Sequence, residues 1–241
     1  MRSLRSNLRS ALAGAFFVGY GLAALPFAPL LMLPGWTGRG TRRVIRVFYR
    51  LFVGLAARTH LFRVTMDETT RMALRDCRGK VVVANHVSLI DIVILLAFLP
   101  DSTVLAKAAT LRNPFLGMVV RRGFIPAGDN PEATVALAAS SLVEGTNVVV
   151  FPEGTRTPPG TQVRRFHRGA ARFALAAGAP VAVLRIAYDH VLLAKGQPWW
   201  DVGSHEVTVR LAFSGTLVPQ DANTRPAALA LSARLRDLMR I

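Results

Sequence analysis

The chain has 241 residues, 51% of them apolar and 18% charged, which excludes intrinsic disorder and suits one compact domain with a short appendage. Its 30 Lys+Arg against 14 Asp+Glu leave a net +16, and residues 1–60 hold nine arginines with no acid. Basic sequence beside apolar sequence points to an anionic membrane surface before nucleic acid, and a single cysteine, Cys77, excludes a disulfide framework and a cysteine-rich zinc site.

No charge occurs between Arg9 and Arg39, and about 20 apolar residues suffice to cross a bilayer core. Pro26, Pro29 and Pro34 interrupt the run, so the reading is a kinked span or a shallow re-entrant helical pair. A cleaved signal peptide and a buried soluble helix compete with it. The first lacks a small-x-small site before Pro26, and the second fits a charge-free run of this length poorly. Next, Arg42, Arg43, Arg46 and Arg50 recur at helical spacing, with Val44, Phe48, Leu51 and Phe52 on other faces. That pattern suits a helix lying in the headgroup plane, or a solvated basic face packed on the domain.

From about Leu61 short β-branched runs alternate with Ala/Leu-rich ones. Strands are predicted at 80–85, 102–107, 123–126, 147–151, 179–188 and 205–213, and helices near 89–99, 113–121, 131–144, 168–178 and 225–240. The helix at 131–144 has the clearest marks: Asn130 to cap it, Pro131 for its first turn and Gly145 to end it. Its predicted apolar stripe is Val135, Ala138, Ala139, Leu142 and Val143. The expected architecture is a membrane-anchoring helical segment, residues 1–60, followed by an α/β domain, residues 61–241. That domain is a mixed, largely parallel sheet flanked by helices.

Two segments carry candidate chemistry. In VVVANHVSLIDI an apolar strand ends at Asn85–His86, where α/β folds collect reactive groups. His86 and Asp91 are five apart, which fails for neighbours on one helix face. It works if His86 lies on the preceding turn and Asp91 reaches back from the first helical turn. A carboxylate on one ring nitrogen fixes the tautomer, and the other nitrogen can then take a proton from a hydroxyl. In VVVFPEGTRTPPG a second apolar strand runs into a turn carrying Glu153, Gly154, Thr155 and Arg156. Gly154 allows close backbone approach, Arg156 suits a phosphate, and Glu153 either accepts from a substrate hydroxyl or pairs with Arg156.

Taken together, NHVSLID and FPEGTR resemble the first and third motifs of the glycerolipid acyltransferases, the 1-acylglycerol-3-phosphate acyltransferase family. His86 and Glu153 are 67 residues apart (153 − 86), in keeping with that family. VLAKAAT, the RNPFLG turn, the RFHRGAARFA helix and the APVAV strand extend the likeness over roughly residues 60–215. The resemblance implies transfer of a fatty acyl group from acyl carrier protein or coenzyme A thioester to a glycerolipid hydroxyl. The simplest case is 1-acyl-sn-glycerol-3-phosphate to phosphatidate. His86 would be the general base and Asp91 its orienting partner. Glu153, Gly154, Thr155 and Arg156 would line the acceptor site, with Lys107 adding positive charge. No cofactor or metal is implied beyond the thioester co-substrate, and no acyl-enzyme on Cys77 is required.

GFIPAGD places Asp129 where the family's second motif carries an arginine that helps bind the acceptor phosphate, with Arg121 and Arg122 upstream as candidate substitutes. The fourth motif has Val183 in place of its second proline. A same-family enzyme acting on another lysolipid, an aminolipid or a polyene-type acceptor is therefore the alternative. A non-catalytic basic membrane- or nucleic-acid-binding protein is the reading from another class. No nucleic-acid recognition motif supports it. The expected location is the cytoplasmic face of the inner cell membrane.

Overall fold

The computed structural model describes residues 4–24, 38–107, 121–157, 166–220 and 224–240. Valine-rich strands alternate with helices in the order α1 (Leu4–Ala24), α2 (Gly38–Arg58), β1 (Phe62–Thr65), α3 (Glu68–Arg75), β2 (Val81–Ala84), α4 (Ile90–Phe98) and β3 (Ser102–Lys107). Then follow β4 (Ile125–Ala127), α5 (Pro131–Val143), β5 (Asn147–Val150), α6 (Gly169–Ala177), β6 (Val181–Tyr188), β7 (Val207–Leu217) and α7 (Arg225–Arg240). The strands form one seven-stranded sheet, β1-β7-β6-β2-β5-β3-β4, in which only the β6–β7 pair is antiparallel.

The uninterrupted apolar strands are explained by layers on both faces. Val82, Ala84, Val149 and Leu184 point into a core shared with Ile45, Phe52, Ile94 and Leu95 of α2 and α4. Val81, Val83, Val148 and Val183 point the other way, against Ala138, Ala171, Ala174 and Leu235 of α5, α6 and α7. Successive side chains alternate between faces, so a strand covered on both sides reads as apolar throughout. Five strands, β2 to β6, therefore end at one edge of the sheet, and the turns leaving that edge carry the candidate chemistry.

The local signals held at α5. The Asn130 side chain accepts from the N–H groups of Glu132 and Ala133, a cap worth about 1 kcal/mol. Gly145 follows with a left-handed φ of +86°. Val143 does not join the stripe: it is 77% exposed, and Thr134 is buried instead with Ala138 and Leu142. β1 and α3 lack counterparts among the predicted elements, and β7 runs on to Leu217. The predicted helix near 113–121 lies almost wholly outside the described residues, as do residues 25–37 of the apolar run.

α1 packs on α2 through aromatic contacts. Phe16 and Tyr20 meet Phe52 at ring-centroid distances of 5.2 and 4.9 Å, and Tyr20 donates its hydroxyl hydrogen to the Phe48 carbonyl. No helix among the described residues is long and apolar enough to cross a membrane.

Candidate active site

His86 lies two residues past β2, in the turn before α4. Asn85 fixes that turn from behind: its side chain donates to the Ile186 carbonyl at 2.8 Å and accepts from the Ile186 N–H at 2.7 Å, continuing the β2–β6 pairing with an amide. Asp91, in the first turn of α4, reaches back as its spacing predicts. Its Oδ2 lies 3.0 Å from His86 Nδ1 and accepts the N–H groups of Val87 and Ser88 at 2.7 Å each. An ionised carboxylate only accepts, so Nδ1 carries the hydrogen and Nε2 keeps its lone pair. Asp91 has no exposed surface, while the His86 side chain keeps 13% of its own. Phe151, the residue after β5, stacks on the imidazole with centroids 4.2 Å apart.

The turn after β5 closes over the same histidine. The His86 N–H donates to Glu153 Oε1 at 3.0 Å, and the Thr157 N–H donates to the His86 carbonyl at 2.7 Å. Glu153 is buried, and its other oxygen, Oε2, has no hydrogen-bond partner among the described residues. Burial, the largest influence, pushes the Glu153 carboxyl above its ordinary value, although the His86 N–H and ring pull it down. Glu153 does not pair with Arg156. Arg156 Nη1 donates to the Leu193 carbonyl at 2.8 Å instead, tying this turn to the β6–β7 connection. Gly154 has a φ of +67°, and a Cβ there would approach the His167 ring to 3.0 Å, so the turn requires glycine at this point.

The remaining candidates separate. Gly154 and Thr155 are exposed on the turn. The backbone of Lys107 ends β3 at the same edge of the sheet as His86; its side chain lies outside the described residues. Asp129 is exposed two residues beyond β4, also at this edge, two strands from β5. That offset is roughly 10 Å by strand spacing. Arg121 and Arg122 do not take the missing arginine's place. They enter β4 from the opposite end, where the Arg122 carbonyl lies near Gly38 at the start of α2. Cys77 is buried at that opposite end as well, and burial pushes its thiol up to about 11, so it takes no part in this site.

One neighbour was missed. Tyr188, the last residue of β6, donates its hydroxyl hydrogen to Asp91 Oδ1. Ninety-seven residues separate the two, and nothing in the sequence near Tyr188 signals the contact.

The acyltransferase family model matches residues 63–187. Lyso-ornithine lipid O-acyltransferase from Pseudomonas aeruginosa is 37% identical over 110 residues, 44% of this chain and 42% of that protein. The 1-acyl-sn-glycerol-3-phosphate acyltransferase of Borreliella burgdorferi is 29% identical over 107 residues, 42% of each chain. The chain thus matches less than half the length of these curated relatives. The crystal structure of the 1-acyl-sn-glycerophosphate acyltransferase PlsC from Thermotoga maritima superposes with a TM-score of 0.75 at 22% identity. That match covers 100% of this chain and 95% of the other, and the likeness is one of fold. The family match runs from β1 almost to the end of β6 and takes in His86, Asp91, Lys107 and Glu153 through Arg156: the chain belongs to the acyltransferase family.

Proposed function

We propose that the chain transfers a fatty acyl group from an acyl thioester, on acyl carrier protein or coenzyme A, to a lysolipid hydroxyl. The carrying observation is an imidazole ordered by a buried carboxylate, with its Nε2 turned away from that carboxylate and the unpartnered Glu153 Oε2 on the same small turn assembly. Nε2 takes the hydroxyl proton as the oxygen attacks the thioester carbonyl. The C–O bond forms, the C–S bond breaks, and the imidazolium returns the proton to the leaving sulfur, giving an ester and a thiol. Glu153 Oε2 accepts from a hydroxyl of the acceptor, and Arg156 supplies positive charge beside it. The test is acyl transfer to a panel of lysolipids with both donor types, wild type against His86→Ala. Equal turnover by the two proteins would overturn the assignment.

The first acceptor reading is 1-acyl-sn-glycerol-3-phosphate, giving phosphatidate; the name of the Borreliella relative and the position of Arg156 support it. A second reading, an aminolipid acceptor, is favoured by a specific observation. Asp129 is an exposed carboxylate at the site's edge of the sheet, where it would repel a phosphate monoester and attract an ammonium group. The Pseudomonas relative, named for a lyso-ornithine lipid, points the same way.

The same proposal places the protein on the cytoplasmic face of the inner membrane, with residues 1–60 as its anchor. Leu8, Leu12 and Leu22 of α1 and Val47 and Leu51 of α2 are all more than half exposed, beside Arg43 and Arg50. Trp199 and Trp200 flank α1 at Ala11, Gly14 and Ala15 and stay partly open, as tryptophans at a headgroup layer do. α2 also buries Ile45, Phe52, Val53 and Ala56 in the core of the sheet, so the proposed anchor is continuous with the catalytic layer.

A further inference from the structure

We propose that Tyr188 is a positioning residue for the His86–Asp91 pair, one that holds the carboxylate by its outer oxygen and draws charge away from it. The inference rests on His86 being the base. Asp91 is fully buried, and its two oxygens are used unequally. Oδ2 takes three donors, His86 Nδ1 and the N–H groups of Val87 and Ser88, whereas Oδ1 takes the Tyr188 hydroxyl. All three Oδ2 donors come from the turn that Asp91 itself belongs to. Tyr188 is the contact from outside, carried by β6.

That contact is built in. β6 pairs with β2 from Val181↔Val81 to Leu184↔Ala84, and the Asn85 amide extends the pairing to Ile186, two residues before Tyr188. The phenol oxygen therefore approaches Asp91 from a strand locked to the one that carries His86. Burial, with the Asp91 charge beside it, raises the Tyr188 hydroxyl well above its ordinary value, so it stays a neutral donor. Tyr188 also lies one residue beyond the stretch matched by the family model.

The consequence concerns how basic His86 is. A buried carboxylate with a bare oxygen would hold the imidazolium more tightly than one whose second oxygen accepts a phenol hydrogen bond. A phenol donor on that oxygen tempers the charge. Glu153, from the turn after β5, and Tyr188 itself are titratable groups that face the pair; Arg156 is turned to the Leu193 carbonyl.

The test is the pH profile of kcat/KM in Tyr188→Phe, which keeps the ring and removes the donor. The acidic limb should move up by about one pH unit, so kcat/KM should fall up to about tenfold at pH values below the wild-type limb and stay near wild type above the shifted one, the scale of a hydrogen bond to a buried charge. KM for acceptor and thioester should stay near wild type. An acidic limb at the wild-type position would overturn the proposal, whatever happened to thermal stability. Should Tyr188→Phe fold poorly, 3-fluorotyrosine placed at position 188 gives the opposite arm. It is a stronger donor and should move the limb down; an unmoved limb again overturns the proposal. His86→Ala assayed in parallel separates the two levels. Retained transfer there removes the base assignment itself, whereas inactive His86→Ala beside an unmoved Tyr188→Phe limb removes only the role of Tyr188.

Discussion

The backbone N–H of His86 donates to Oε1 of Glu153 at 3.0 Å, joining two segments 67 residues apart at the residue that would do the chemistry. One carboxylate thus holds the backbone at His86 with one oxygen and keeps the other buried without a hydrogen-bond partner among the described residues. The turn after β5 and the turn after β2 form a single unit, closed a second time by Thr157 N–H on the His86 carbonyl.

Glu153→Gln tests that arrangement. A glutamine can still accept the His86 N–H, so the turn should persist, while the buried charge disappears. The Glu153 carboxyl is raised on folding, so the folded state holds its proton over a pH range where the unfolded state has lost it. Stability is therefore lost as pH rises from the ordinary carboxylate value through the raised one. The variant should melt higher than wild type at pH 8, and the gap should close below about pH 4, where both states carry the proton. Transfer should fall, chiefly through acceptor KM. A variant melting below wild type at pH 8 would mean that the charge is compensated.

His86→Ala should abolish transfer while the fold persists, because Asp91 keeps the N–H groups of Val87 and Ser88 and the Tyr188 hydroxyl when the imidazole is gone. Asp91→Asn should cost up to the same amount, since an amide no longer holds Nδ1–H as a carboxylate does and the tautomer is lost. Circular dichroism with single-turnover acyl transfer measures both effects. An active His86→Ala would end the general-base reading.

At the other end of the sheet, Arg42 on α2 donates to both oxygens of Asp101, at 2.6 and 3.3 Å, and to Thr146 at 2.9 Å. Burial pushes the Asp101 carboxyl up, but Arg42, Thr146 and Arg39 together outweigh it and hold it below its ordinary value. The contribution is full above the unfolded carboxylate value and is lost as pH falls through the lowered one. Arg42→Ala should cost about 2 kcal/mol at pH 7 by leaving Asp101 half-buried without its main partner, and less below about pH 3. Urea denaturation at both pH values checks the sign and the window.

The strands that build the site were legible because each is a short β-branched run between turn residues; β3 and α7 match their predicted bounds. β1 and α3 were not. β1 has four residues and pairs only with the edge of β7, from Phe62↔Val207 to Thr65↔Arg210, so its existence depends on a partner about 145 residues away. α3 is eight residues begun by the Asp67 cap on Thr70, too short for periodicity to register. The His86–Asp91 contact was readable because it lies within one turn. Tyr188 was not, because sheet order, which sequence spacing does not encode, sets β6 beside β2.

Membrane attachment should survive high salt. Arginine attraction is screened within a few ångströms at molar salt, but the exposed leucine and valine surface of α1 and α2 is not weakened by screening. Washing membranes in 1 M salt, about a 3 Å Debye length, should leave the protein in the pellet, and detergent should release it. Quantitative release by salt alone would show that charge, not apolar surface, holds it.

On the proposed reading the choice of acceptor turns on Asp129. A phosphate monoester headgroup carries nearly two negative charges, and Arg156 has already committed one N–H to Leu193. Arg121 and Arg122 enter β4 from the far end, so among the described residues of that strand no base lies beside the carboxylate. Asp129 is exposed and roughly 10 Å from β5 by strand spacing, too far to touch the reacting hydroxyl but within reach of a headgroup. Water and salt weaken such an interaction, so a factor of about ten in kcat/KM is the expected scale. Asp129→Arg should raise transfer to 1-acyl-sn-glycerol-3-phosphate and lower transfer to a lysolipid with an amino headgroup, leaving the acid limb of the pH profile in place. Paired kcat/KM values for the two acceptors read the result as a ratio, which cancels any general loss of activity. A ratio unchanged by Asp129→Arg would mean that both headgroups bind away from β4, and Arg156 would then be the residue to vary next.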